Sequence, residues 1–191
     1  MKVTNCPIVF YDKEYKFNFF WGCLVCRKRN ADNKVQDNNH IIDSISDKKE
    51  NIDAVNNPYI IGNRKNSDKW GEVRHSWVIK KYAKILTWLC ANCYPLATLF
   101  LHFRLKTFHD AGDASMFYYS VFPDMKKQNT LCLPRAFFIA TTSHRFKAHG
   151  TLFIGAFLPT VRMHAWVMED GTPADNYDNQ WIYYRPVMIL S

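Results

Sequence analysis

Cysteine is scarce in this chain, with six in 191 residues, too few to brace a scaffold of this length with disulfides. Residues 1–7 lack the continuous apolar run of a secretion signal. Together the two absences place the chain in a reducing cytoplasm. No glycine-rich phosphate-binding loop is present, so the chain itself is not expected to handle ATP. Motifs for nucleic acid are missing as well. The net charge of +8 would suit phosphate, but no helix-turn-helix or aromatic ribonucleoprotein motif accompanies it, and the basic groups are scattered over Arg27-Lys28-Arg29, Lys48-Lys49, Lys80-Lys81 and Lys126-Lys127. That distribution suits a solvated surface, or an acidic peptide or partner protein, and not a nucleic acid. Charge is also absent between Lys84 and Arg104, inside a helix expected over residues 76–106. Asn92, Thr87, Thr98, His102 and a mid-run Pro95 argue against a membrane span there. A buried helix kinked at Pro95 is expected instead.

What the chain does have is apolar content, 48% of it, enough for a real core in one domain or two small ones. Ile8-Val9-Phe10-Tyr11 and residues 15–20 are β-rich runs around the polar Asp12-Lys13-Glu14, which predicts an N-terminal hairpin. Residues 30–66 turn polar and rich in asparagine, so a boundary is expected at residues 62–71. The division is then 1–70, a first module with a polar linker, and 71–191, the main domain.

The chemistry concentrates in residues 130–178. Thr130 stands where an N-cap would, Pro134 falls near a first turn, and Leu133, Ala136, Phe137 and Ala140 recur at helical spacing. A helix is therefore expected to open at Cys132 and to end at Gly150, behind Lys147 and His149. A thiol in a first turn faces unpaired N–H groups and the positive end of the helix dipole, which favours its thiolate. Cys132 is thus a candidate nucleophile; the competing reading is a small buried hydrophobe. His164 favours the first reading, because it lies on a separate strand, Met163-His164-Ala165-Trp166-Val167, and a carboxylate follows it. That is the order a cysteine–histidine–acid site requires.

The acid is addressed by register. Asp170-Gly171 predicts a two-residue type I′ turn, which pairs Glu169 with Thr172, Val167 with Ala174 and Trp166 with Asp175. Side chains alternate along a strand, so Asp175 shares a face with His164 as its diagonal neighbour. A bulge at Pro173 would exchange the faces and favour Asn176 or Asp178. Among the rest, Cys23 with Cys26 and Cys90 with Cys93 form two C-x-x-C pairs, but their separation far exceeds that of a zinc ribbon, and no metal or cofactor is expected. The other histidines show no partner pattern. Gln128 and Asn129 are side-chain amides just upstream of the thiol and could serve an oxyanion.

Cys132-Leu133-Pro134-Arg135-Ala136, the apolar strand with Gly155, and His164-Ala165-Trp166-Val167 together resemble the maturation protease of lasso-peptide gene clusters, the B protein. That family is a transglutaminase-like relative of papain-type cysteine proteases. The resemblance covers roughly residues 77–179 and is sharpest over 132–166. The glutamate that directly follows the Trp-Val pair in that family stands one residue later here, as Glu169. The resemblance implies an α+β fold, helices on an antiparallel sheet, behind a small winged-helix-like module that takes the precursor's leader as an added strand. It implies leader removal by peptide-bond hydrolysis. A separate ATP-dependent, asparagine-synthetase-like cyclase would then close the freed amine into a macrolactam, so ATP belongs to that partner. Two other readings stay open: a transglutaminase-like acyl transferase on the same scaffold, which shares the thioester, and a non-enzymatic basic binding module.

Overall fold

The structure, a computed structural model, describes residues 2–10, 13–28, 76–103, 105–123, 131–157, 160, 162–174 and 184–191. Short strands come first: β1 (Val3–Asn5), β2 (Ile8–Phe10), β3 (Lys13–Asn18) and β4 (Cys23–Lys28). Helices follow as α1 (Ser76–Asn92), α2 (Tyr94–Phe100), α3 (Ala111–Val121), α4 (Cys132–Thr142) and α5 (Phe146–His149). The chain finishes with β5 (Gly150–Phe157), β6 (Arg162–Glu169), β7 (Thr172–Pro173) and β8 (Arg185–Leu190). The class is α+β, as expected.

Every strand pair is antiparallel. The larger sheet runs β1-β8-β5-β6-β7, and the smaller runs β2-β3-β4. The expected N-terminal hairpin is β2 with β3, paired from Ile8↔Tyr15 to Phe10↔Lys13. Its neighbour β1 joins the larger sheet through Val3↔Leu190 and Asn5↔Met188, so residues 1–70 contribute strands to both sheets. What is described of those residues is β-structure. The expected boundary and linker lie outside the described residues.

The core fills the space between the helices and one face of the larger sheet. Leu152, Ile154 and Ala156 of β5, Ala165 and Val167 of β6, and Met188 and Leu190 of β8 meet Phe137 and Phe138 of α4, all of them buried. Phe138 is the aromatic hub, stacked on Phe117 at 6.1 Å and 7° and touching Phe108, Tyr82 and Tyr118. Each such side chain taken from water contributes roughly 1.5–3 kcal/mol. The smaller sheet is keyed to this core by Gly22. Its φ is +64°, and a Cβ there would stand 2.6 Å from the ring of Tyr94, whose ring also meets Phe19 and Phe137.

Two expectations about helices are corrected. The single helix over residues 76–106 is two helices, because Pro95 inside a continuous helix would clash with the carbonyl four residues back. The chain breaks at Cys93 (φ −146°, ψ 68°), which leaves Pro95 in the first turn of α2. Nor is α1 buried all round: Ile79, Ala83, Leu86 and Leu89 face the core, while Trp77, Ile85 and Trp88 are exposed. The helix opening at Cys132 ends at Thr142, not at Gly150. Thr141 and Thr142 turn their hydroxyls back onto the carbonyls of Phe137 and Phe138, Ser143 takes an extended conformation as the C-cap, and Gly150 caps the separate α5 behind Lys147 and His149 and opens β5.

Candidate active site

Three elements converge on Cys132. It is the first residue of α4, behind Leu131, which occupies the N-cap without a side-chain hydrogen bond. Thr130, the cap expected from the sequence, lies outside the described residues. Backbone N–H groups of Leu133 and of Cys132 itself point at the sulfur, as a helix start dictates. A third N–H comes from across the fold, from Ala165 on β6. Ala174 donates its N–H to the carbonyl of Val167 at 2.8 Å, so the odd residues of β6 aim their backbone groups toward the β7 side. The thiol thus rests along that edge, against the residue that follows His164.

The thiol titrates upward. Burial raises Cys132 above the ordinary thiol value of 9.0, the three N–H groups and the Arg135 guanidinium pull the other way, and burial wins. The expectation of a thiolate favoured by the helix dipole is corrected accordingly, because desolvation penalises the charged form more than the dipole relieves it. Arg135 is itself buried, donating to the Tyr119 hydroxyl at 2.6 Å and lying over that ring at 4.9 Å. Cys90 of α1 is a close electrostatic neighbour of Cys132, and burial pushes its thiol up to about 12.

His164 is buried on β6, where alternation places it on the face away from Ala165 and Val167. Its ring stacks on Trp166 at 6.1 Å and 15°, and Tyr184 covers it at 5.1 Å. Trp166 in turn stacks on Phe153 at 5.3 Å and 8°. Gly155, opposite His164 in the β5–β6 register, makes room for this arrangement, since a Cβ there would stand 2.7 Å from the indole. The indole Nε1 is buried and has no hydrogen-bond partner among the described residues. Leaving such a donor dry costs about 1–3 kcal/mol.

The turn after His164 behaves as its sequence predicts. Asp170 and Gly171 have φ of 52° and 77°, Glu169 pairs with Thr172 and Met168 with Pro173, and the Ala174 bond continues that register past the proline without a bulge. Asp175, Asn176 and Asp178 lie outside the described residues, as do Gln128 and Asn129. The structure therefore brings the Cys132 thiol to the strand of His164 and leaves the third member unplaced. Among the described residues, no three or more His, Cys, Asp or Glu side chains gather as a metal site would need.

Sequence reasoning missed Glu169. Its buried carboxylate accepts the Ala111 N–H at 3.1 Å, at the start of α3, and the Ser143 hydroxyl at 3.4 Å, at the end of α4. The signal was present in its displacement: position 169 faces the helices, whereas position 168 would face away from them.

No curated protein and no solved structure matches the chain. Residues 106–189, which span α3, α4, α5, β5, β6, β7 and all but the last residue of β8, match the family model of the transglutaminase-like superfamily, a match compatible with a cysteine peptidase or a cysteine acyl transferase.

Proposed function

We propose that the protein is a cysteine peptidase that removes the leader from a lasso-peptide precursor. One observation carries the reading: the Cys132 thiol, at a helix start within the transglutaminase-like region, accepts a backbone N–H from the residue next to His164. His164 takes the thiol proton as the sulfur attacks the scissile carbonyl. The N–H groups at the start of α4 stabilise the oxyanion, and the buried Nε1 of Trp166 offers a further donor to bound peptide. The proton then passes from His164 to the departing amine, leaving a thioester that water hydrolyses. Because burial holds Cys132 as a thiol, the base is indispensable. Asp175 is assigned to orient the imidazole from the sequence alone, as the diagonal neighbour of His164 that the Asp170-Gly171 turn predicts.

The leader would lie on the smaller sheet. That sheet borders a groove of about 460 Å³ lined in part by Glu14, Lys16, Asn18 and Arg27, with Phe17, Phe19 and Asn5 of β1 beside them, and an extended peptide adds readily to a sheet edge. The amine released by cleavage passes to the ATP-dependent cyclase, a separate chain. The test is to incubate the protein with the precursor peptide encoded beside its gene and to weigh the products. Two fragments whose masses sum to precursor plus water support hydrolysis. They should vanish in Cys132→Ala and His164→Ala, and fall by orders of magnitude in Asp175→Ala but not in Asn176→Ala or Asp178→Ala. Loss of ammonia in place of gain of water marks acyl transfer instead. An intact precursor with the parent protein ends the reading.

A further inference from the structure

From Ser76 to His109 the chain carries Lys80, Lys81, Lys84, Arg104 and Lys106 and not one aspartate or glutamate. The same stretch holds eight of the thirteen exposed large hydrophobic residues found among those described, Trp77 and Trp88 at 60% exposure and Phe103 at 59% among them. Both properties meet on α1. With Ile79, Ala83, Leu86 and Leu89 committed to the core, the opposite side presents Trp77, Lys81, Lys84, Ile85 and Trp88, spaced i, i+4, i+7, i+8, i+11. Lys81 lies over the Trp77 ring at 4.8 Å. Beyond the break, Leu96 and Leu99 of α2 continue the exposed apolar run.

We infer that this face of α1 docks the protein on an anionic phospholipid surface. Lysines beside indoles match the chemistry of such an interface, where the cations meet headgroup phosphates, the indoles sit at headgroup depth and apolar side chains enter the acyl boundary. A second copy of the chain fits poorly, because lysine would face lysine across a two-fold axis. No described helix is long and apolar enough to cross a bilayer, so α1 would lie along the surface while its other face stays in the core. The inference is independent of the proposed peptidase activity.

The test is co-sedimentation of the full chain with vesicles of equal parts phosphatidylglycerol and phosphatidylcholine, against phosphatidylcholine alone. Binding is expected only to the anionic vesicles, weakened by salt and accompanied by a blue shift of tryptophan emission. Lys81→Ala with Lys84→Ala should lower the partition coefficient roughly thirtyfold, and Trp77→Ala with Trp88→Ala should remove the blue shift. All four positions are exposed, so an unchanged melting temperature serves as the folding control. Equal binding to both vesicle types, binding to neither, or parent-like partition of the lysine variant overturns the inference. So does a dimer that Trp77→Ala and Trp88→Ala dissolve, or capture by polyglutamate in place of the vesicles.

Discussion

Gly155 decides where the Trp166 indole sits, and through it where the ring of His164 rests. A methyl group at this position meets the far edge of the indole at 2.7 and 2.8 Å and the Arg185 carbonyl at 3.0 Å. The ring is already stacked on both Phe153 and His164, so it has little room to yield. Gly155→Ala should destabilise the fold by about 1–3 kcal/mol and slow turnover further than the stability loss explains. A melting temperature and cleavage rate equal to the parent's would remove Gly155 from this role. At Cys132, labelling by iodoacetamide should keep rising with pH beyond the point where an ordinary thiol levels off, because its raised value keeps the thiolate scarce at neutral pH. Exposed Cys23 and Cys26 should react first at pH 7, and faster labelling of Cys132 there would contradict burial as the dominant influence. Residue types and chain order marked Cys132 and His164 as candidates in the sequence. The burial of the thiol was not legible, since it depends on elements distant in the chain; Cys90, an electrostatic neighbour, stands on a helix about forty residues upstream.

Among the elements, β6 carries His164 and Glu169 anchors its end. One carboxylate joins the end of β6 to the start of α3 and the end of α4, and the Ser143 hydroxyl that donates to it accepts the Phe146 N–H of α5 at 3.3 Å. Glu169→Ala would strand a buried N–H and a hydroxyl together, and should cost about 1–3 kcal/mol for each donor left dry. Glu169→Gln retains an acceptor and should lose less, so denaturant midpoints that rank the two variants the other way would refute this account. The strands β6 and β7 and their turn were readable because two-residue turns with positive φ admit few sequences, and Asp170-Gly171 is one of them. The turn is further pinned by Arg145 and His149, which hold the Asp170 carboxylate at 2.6 and 2.9 Å. The helix ends were not readable. Helical periodicity runs on through Thr141 and Thr142, and only the pairing of Phe108 with Ser143 and the bond from the Leu105 N–H to the Thr141 carbonyl show why the chain must leave the helix there.

For the whole molecule, alkaline pH is the weak side. Burial raises the thiols of Cys90 and Cys132 and the phenols of Tyr82, Tyr94 and Tyr118. A raised group binds its proton more tightly folded than unfolded, so its contribution is complete below the unfolded value and drains away as pH climbs toward the folded one. For Cys90 that window runs from 9.0 to about 12. The melting temperature should fall across it, and Cys90→Ala should make the fall shallower; a flat profile would refute the assignment. The same long-range architecture shapes how the chain is made. The first strand, β1, finds its partner only in the last, β8, with Lys2 and Ser191 exchanging backbone hydrogen bonds beyond them. On the ribosome the three-strand meander of β2, β3 and β4 has its strand pairings early, whereas β1 waits for β8. Its contact order makes that pairing the late step of folding, so the sheet bearing His164 acquires its outer edge only once β8 is in place.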